Sequence, residues 1–174
     1  IHLQGNIPEA IKYYQYCIDK NFKDYKVFSN YGAILIDINK LKEAELFIRK
    51  AIEIKPDFAE AHLNLGNILK EYYKFKDAQE SYCKAIKLKP DLTEAHYNLG
   101  RILITLGDRN NAEISLRKAI KLKANHADAI LYLGYLSRAN GNFKDAQNCS
   151  DKLMKIRPWS ISGSYSVNYK IKSN

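Results

Sequence analysis

The sequence predicts an all-α solenoid of stacked antiparallel helix pairs that ends in a non-helical C-terminal tail. Three observations predict it. The stretch "EAHLNLGNIL" at residues 60–69 returns as "EAHYNLGRIL" at residues 94–103, 34 residues later. Two stretches of each unit, such as "EAHLNLGNILKEY" and "FKDAQESYCKAIKL", carry apolar residues at helical spacing. Small residues recur at fixed places in every copy, and a helix-stopping proline in three of the four. Self-similarity at a period of roughly 20–50 residues marks an array of small units.

With Gly66 set at position 8, the frame divides the chain into units 25–58, 59–92, 93–126 and 127–160. Position 8 reads Gly32, Gly66, Gly100, Gly134, and position 20 reads Ala44, Ala78, Ala112, Ala146. Position 27 reads Ala51, Ala85, Ala119, Leu153, and position 32 reads Pro56, Pro90, Ala124, Pro158. Extended backwards, the frame puts Gly5 at position 15, Ala10 at 20 and Cys17 at 27, so residues 1–24 form the second half of a truncated unit. Residues 161–174 remain as an extended tail or a linker to a downstream domain. The chain opens in "IHLQGN" without Met and so looks like an excerpt of something longer.

Each element has a local cause. The first helix of a unit carries Gly at position 8, where it crosses the second helix near position 20. Close approach of two helices needs small residues there. The turn between them carries Asn39, Gly107 and Gly141, residues that tolerate the left-handed conformation ending a helix. Tyr73 departs from that pattern with no local reason. Proline at position 32 stops the second helix, and Ala at position 27 lets the next first helix nest. One helix pair cannot cover its own apolar face, so the pairs must stack. The last unit is degenerate: Ser137 replaces the leucine of Leu35, Leu69 and Leu103, and Ser150 replaces the bulky residue at position 24, which predicts the loosest packing.

This register resembles the tetratricopeptide repeat family over residues 1–160. The family's usual Trp at position 4 is absent, replaced by Phe28, His62, His96 and Ile130. The resemblance implies a right-handed superhelix whose first helices line a concave groove, with positions 2, 5, 6, 9, 12 and 13 pointing into it. On that expectation the partner-binding residues are Asn30, Asn64, Asn67, Lys70, Tyr97, Asn98, Arg101, Tyr132, Tyr135 and Arg138. Asn30, Asn64 and Asn98 share position 6, and a row of amides can bond an extended peptide backbone without demanding its sequence. The row resembles the asparagine ladder in the repeat region of O-linked N-acetylglucosamine transferases. The competing reading is that these amides cap neighbouring polar groups. Tyr97, Arg101, Tyr132, Tyr135 and Arg138 bring interface-prone residue types to the C-terminal half of the groove. The alternative for the tyrosines is packing between repeats with only their hydroxyls wet.

The implied function is a protein–protein interaction module holding a protein or peptide segment in the groove. The alternative is a substrate-recruiting arm of a larger enzyme of glycosyltransferase or sulfotransferase type encoded downstream. The family's carboxylate clamp for chaperone tails is excluded. It needs Lys at position 5 and Lys and Arg at positions 2 and 6 of the third repeat. The two available registers give Ser29, Glu94 and Asn98, or Leu63, Asp128 and Tyr132, at those places.

The remaining chemistry is sparse. Net charge is +9, with Lys50, Lys84, Lys118 and Lys152 at position 26 and Lys55, Lys89, Lys123 and Arg157 at position 31. Both columns are expected in the last turns of second helices, where cations complement the helix dipole. No base-stacking motif accompanies them, which argues against a nucleic-acid role. His62 and His96 share position 4 but stand one repeat apart without a Cys or Asp to complete a zinc set, so no metal or other cofactor is expected. No nucleophile–base pair, phosphate loop or carboxylate dyad marks an enzyme. Cys17, Cys83 and Cys149 form no C-x-x-C pair, and no apolar run spans a bilayer, which suits a cytoplasmic protein. In the tail, "SYSVNYKIKSN" alternates Tyr165, Val167, Tyr169 and Ile171 with polar residues, the period of an extended strand. Such a segment either covers the flank of the last repeat or enters a neighbour's groove and causes self-association.

Overall fold

The computed structural model describes residues 6–20 and 23–157. Among them stand nine α-helices and no strand: α1 (Ile7–Asp19), α2 (Tyr25–Asp37), α3 (Leu41–Ile54), α4 (Ala59–Glu71), α5 (Phe75–Leu88), α6 (Thr93–Thr105), α7 (Arg109–Leu122), α8 (Ala127–Ala139) and α9 (Phe143–Ile156). The extended tail and Gly5 lie outside the described residues.

The helices pack as four pairs, α2 with α3, α4 with α5, α6 with α7 and α8 with α9, and each second helix also packs on the next first helix. The first helices touch one another in series, α2 to α4 to α6 to α8, whereas the second helices form no such series. An array closer along one layer than the other curves toward the closer layer, so the first helices form its inner face.

Position 8 is glycine because of what crosses it. A Cβ on Gly66 would lie 2.5 Å from Cε1 of Tyr82, one on Gly32 2.6 Å from Cδ1 of Ile48, and one on Gly100 2.7 Å from Cγ of Leu116. The partner is therefore the bulky residue at position 24, with the position-20 backbone close behind: the Ala112 carbonyl oxygen would be 3.3 Å from the Gly100 Cβ. Tyr82, Ile48 and Leu116 are fully buried, as are Ala44, Ala78 and Ala112.

Position 15 is left-handed in all four turns: φ is 60° at Asn39, 59° at Tyr73, 84° at Gly107 and 77° at Gly141. The following N–H then returns to the first helix, from Lys40 to Leu35 O (2.8 Å), Lys74 to Leu69 O (2.9 Å), Asp108 to Leu103 O (2.9 Å) and Asn142 to Ser137 O (2.8 Å). This six-to-one bond is the Schellman closure of a helix. Tyr73 thus takes its strained conformation because the turn requires it, at a cost of roughly 1–2 kcal/mol.

Neither basic column lies in the last turns: Lys50, Lys84, Lys118 and Lys152 at position 26 fall before them. Lys55, Lys89, Lys123 and Arg157 are the C-cap residues just outside their helices, and the cations of the last turns are Lys87, Lys121 and Lys155. Two of the position-31 side chains reach across their unit to the acid at position 2: Lys89 Nζ to Glu60 Oε1 at 2.9 Å, and Arg157 Nη1 to Asp128 Oδ1 at 3.5 Å. The histidines at position 4 tie successive repeats. His62 Nε2 donates to the Pro56 carbonyl (2.8 Å) and His96 Nε2 to the Pro90 carbonyl (3.0 Å).

Candidate functional site

The first helices α2, α4, α6 and α8 carry the residues that the repeat frame singled out, in three different settings. Asn30 on α2 is exposed, Asn64 on α4 is half-buried, and Asn98 on α6 is only 9% exposed. The position-6 amides are therefore not equivalent. Asn98 Nδ2 donates to Oδ1 of Asn67 on the preceding first helix at 3.0 Å, and the Tyr82 hydroxyl donates to the same oxygen at 3.0 Å. One amide oxygen thereby joins α4, α5 and α6.

This arrangement fixes the amide orientations, because an Asn side chain presents an acceptor at one end and donors at the other. With Oδ1 held by two donors, Asn67 keeps Nδ2 as a free donor end. With Nδ2 donating, Asn98 keeps Oδ1 as a free acceptor. Among the described residues neither atom has a protein partner, and neither is sealed from solvent. Tyr82 was not among the residues expected to matter. The signal was present: it is the one polar residue at position 24 below an Asn at position 9, where the neighbouring units have Ile48 and Leu116. Burial pushes the Tyr82 hydroxyl far above its ordinary range, against the opposing pull of the nearby Arg101 charge.

One repeat further on, aromatic rings take over. The Arg101 guanidinium carbon lies 5.5 Å from the Tyr97 ring centroid and 5.1 Å from that of Tyr132. The Tyr97 and Tyr132 rings meet edge to face at 6.0 Å, and Tyr132 meets Tyr135 at 6.5 Å. Tyr97, Arg101 and Tyr132 are half-buried, whereas Tyr135 is 46% exposed and Arg138 is exposed. Burial raises the Tyr97 hydroxyl, partly offset by Arg101. Lys70, half-buried at the end of α4, is paired with Glu71 at 2.9 Å.

His126 was also missed. It precedes α8, where its Nδ1 accepts the Ala129 N–H at 3.2 Å and caps the helix. Its ring packs against Tyr97 at 4.8 Å, and its Nε2 faces Glu94 Oε1 at 3.4 Å. The histidine thus supports Tyr97 from below. Phe58 and Leu92 at the same frame position offer no such hint.

The surface therefore offers fixed amide donors and acceptors beside a stacked arginine and exposed aromatic edges. Among the described residues no three His, Cys, Asp or Glu side chains group to hold a metal, and no helix is long and apolar enough to cross a membrane.

The family model for the tetratricopeptide repeat matches residues 25–58, 59–92 and 93–126. Several solved structures share the fold. A structure of MamA, residues 41 to the end, from Desulfovibrio magneticus is 19% identical with a TM-score of 0.76, covering 91% of this chain and 90% of that one. A thermophilic TPR protein in Thermus thermophilus is 16% identical with a TM-score of 0.73, covering 91% and 87%. The pilF protein of Pseudomonas aeruginosa is 18% identical with a TM-score of 0.80, covering 88% and 70%. No curated protein matches the sequence.

Proposed function

We propose, for a chain that belongs to the tetratricopeptide repeat family, that it is a protein–protein interaction module whose inner face holds an extended segment of a partner. The observation that carries this reading is the pair of unspent amide ends at Asn67 and Asn98, standing beside the Tyr97–Arg101–Tyr132 stack. An extended peptide has one N–H and one C=O per residue to satisfy, and amides of fixed orientation satisfy them at little entropic cost. Aromatic and arginine side chains next to such a polar strip are the residue types that supply most binding energy at interfaces. Asn30 and Asn64 extend the polar strip, and Tyr135 and Arg138 extend the aromatic half.

The test is selection of random linear peptides displayed on phage against the immobilised chain. Affinity of the enriched sequence is then measured by fluorescence anisotropy. Tyr132→Ala, and separately Asn30→Ala with Asn64→Ala, should each weaken binding about tenfold per folded molecule, and the thermal midpoint should move little for the asparagine pair. No enrichment, or full affinity in both variants, sinks the reading.

A further inference from the structure

We propose that the bound segment is anchored by an acidic side chain, Asp or Glu, whose carboxylate is received by Arg101 together with Asn67. This rests on the groove reading above and adds the chemistry of the occupant.

Arg101 is the reason. Its guanidinium lies against the rings of Tyr97 and Tyr132, at 5.5 and 5.1 Å from their centroids. A guanidinium has several N–H donors in a planar fork, so the interaction with the Tyr97 hydroxyl leaves others to spend. That fork matches a carboxylate in a two-bond pair. Among the described residues no carboxylate takes it: the ion pairs of this region go to other basic groups. Glu60 meets Lys89 at 2.9 Å, Glu71 meets Lys70 at 2.9 Å, and Asp128 meets Arg157 at 3.5 Å, while the exposed Glu94 lies 3.4 Å from His126 Nε2 without a hydrogen bond. Three of these acids are matched to other cations and none reaches Arg101, so a half-buried arginine is left without an acid.

The neighbouring amides carry the same polarity. Asn67 shares position 9 with Arg101 on the adjacent first helix, and its oxygen is held by Tyr82 and Asn98, so only its N–H ends are free. Asn67 and Arg101 therefore both bring donors to this stretch of the inner face. Asn98, one turn before Arg101 on α6, offers the opposite end, a free Oδ1 suited to a backbone N–H. A residue inside a peptide carries both a backbone N–H and a side-chain carboxylate, which fits this set better than a chain terminus does.

The experiment uses the peptide enriched by selection, synthesised with Glu, Gln or phosphoserine at its acidic place. Glu→Gln in the peptide should weaken binding roughly ten- to hundredfold, the range for a lost charged hydrogen-bonded pair. Arg101→Gln in the protein should abolish the difference between the two peptides. Arg101→Lys, which keeps the charge but not the fork, should restore only part of it. Thermal midpoints of both variants accompany the titrations. If peptides are enriched without a common acid, or Glu and Gln bind alike, the inference fails while the groove reading stands. A phosphoserine peptide that binds while Glu and Gln are equal also overturns it. If no peptide is enriched, the groove reading itself has failed.

Discussion

The joint between units 59–92 and 93–126 and the crossing inside the last unit share a backbone plan but differ in how they are filled. In the first, the fully buried Tyr82 ring lies across Gly66 and its hydroxyl reaches Asn67, which also receives Asn98 from the next repeat. In the last, Ser150 turns its hydroxyl back to the Ala146 carbonyl at 3.1 Å, and a Cβ on Gly134 would meet only Cys149 Cβ, at 3.1 Å. Separately, a cleft of about 330 Å³ opens between this unit and the one before it, lined by Ile120 of α7, Ile130 and Leu133 of α8 and Cys149 of α9. The difference teaches that position 24 sets what fills the space over the position-8 glycine. The helices form either way, because turn and periodicity are intact in both.

The largest break in that comparison is Tyr82→Ala. It should cost about 3–5 kcal/mol, the range for emptying a buried aromatic site, read as a lowered denaturant midpoint. Filling the opposite site with Ser150→Leu should raise stability.

The glycines sharpen the same contrast. Gly66→Ala would drive a methyl against a buried ring and should cost about 1–3 kcal/mol. Gly134→Ala has a single contact, with Cys149 Cβ at 3.1 Å. There the helix-propensity gain of about 1 kcal/mol offsets the crowding, and the two thermal midpoints should move apart.

A smaller effect is expected at the turns. Tyr73, 80% exposed and left-handed, should yield about 1–2 kcal/mol of stability on replacement by Gly. Gly107→Ala should show the converse loss.

The smallest concerns pH. Burial would raise the Glu60 carboxyl, but the hydrogen bond from Lys89, aided by a backbone bond, holds it below the usual carboxylate range. A depressed carboxylate stabilises the fold above its unfolded pKa, and that contribution is lost as pH falls through the folded value. Lys89→Gln should therefore flatten the acid limb of a stability-versus-pH curve.

Much of the fold was legible because it rests on periodicity. Gly66 and Ala78, Asn39 and Gly107, and the prolines at position 32 each mark a constraint that local sequence can express. The Tyr73 turn shows the limit: the unit's geometry overrides the residue's preference, and only the other three turns reveal what it must do. The bonds among the candidate residues were not legible. Asn30, Asn64 and Asn98 look alike in the frame. They differ in the fold because Asn67 bonds only Asn98 among them, a contact between units that no single unit encodes. The column at position 31 falls one residue past the helix end, where Lys89 and Arg157 make ion pairs across their units.

The first helices touch in series while the second helices do not, and this has a mechanical side. In a bent beam the closely bonded layer behaves as the neutral fibre, and the loosely joined layer takes up the strain. Flexing of this array is therefore absorbed by widening and narrowing between second helices, as in the cleft beside Cys149. The spacing along α4, α6 and α8 changes least, with the Asn67–Asn98 bond as a rivet between the first two. The inner face thus acts as a ruler whose graduations hold their pitch while the body around it bends.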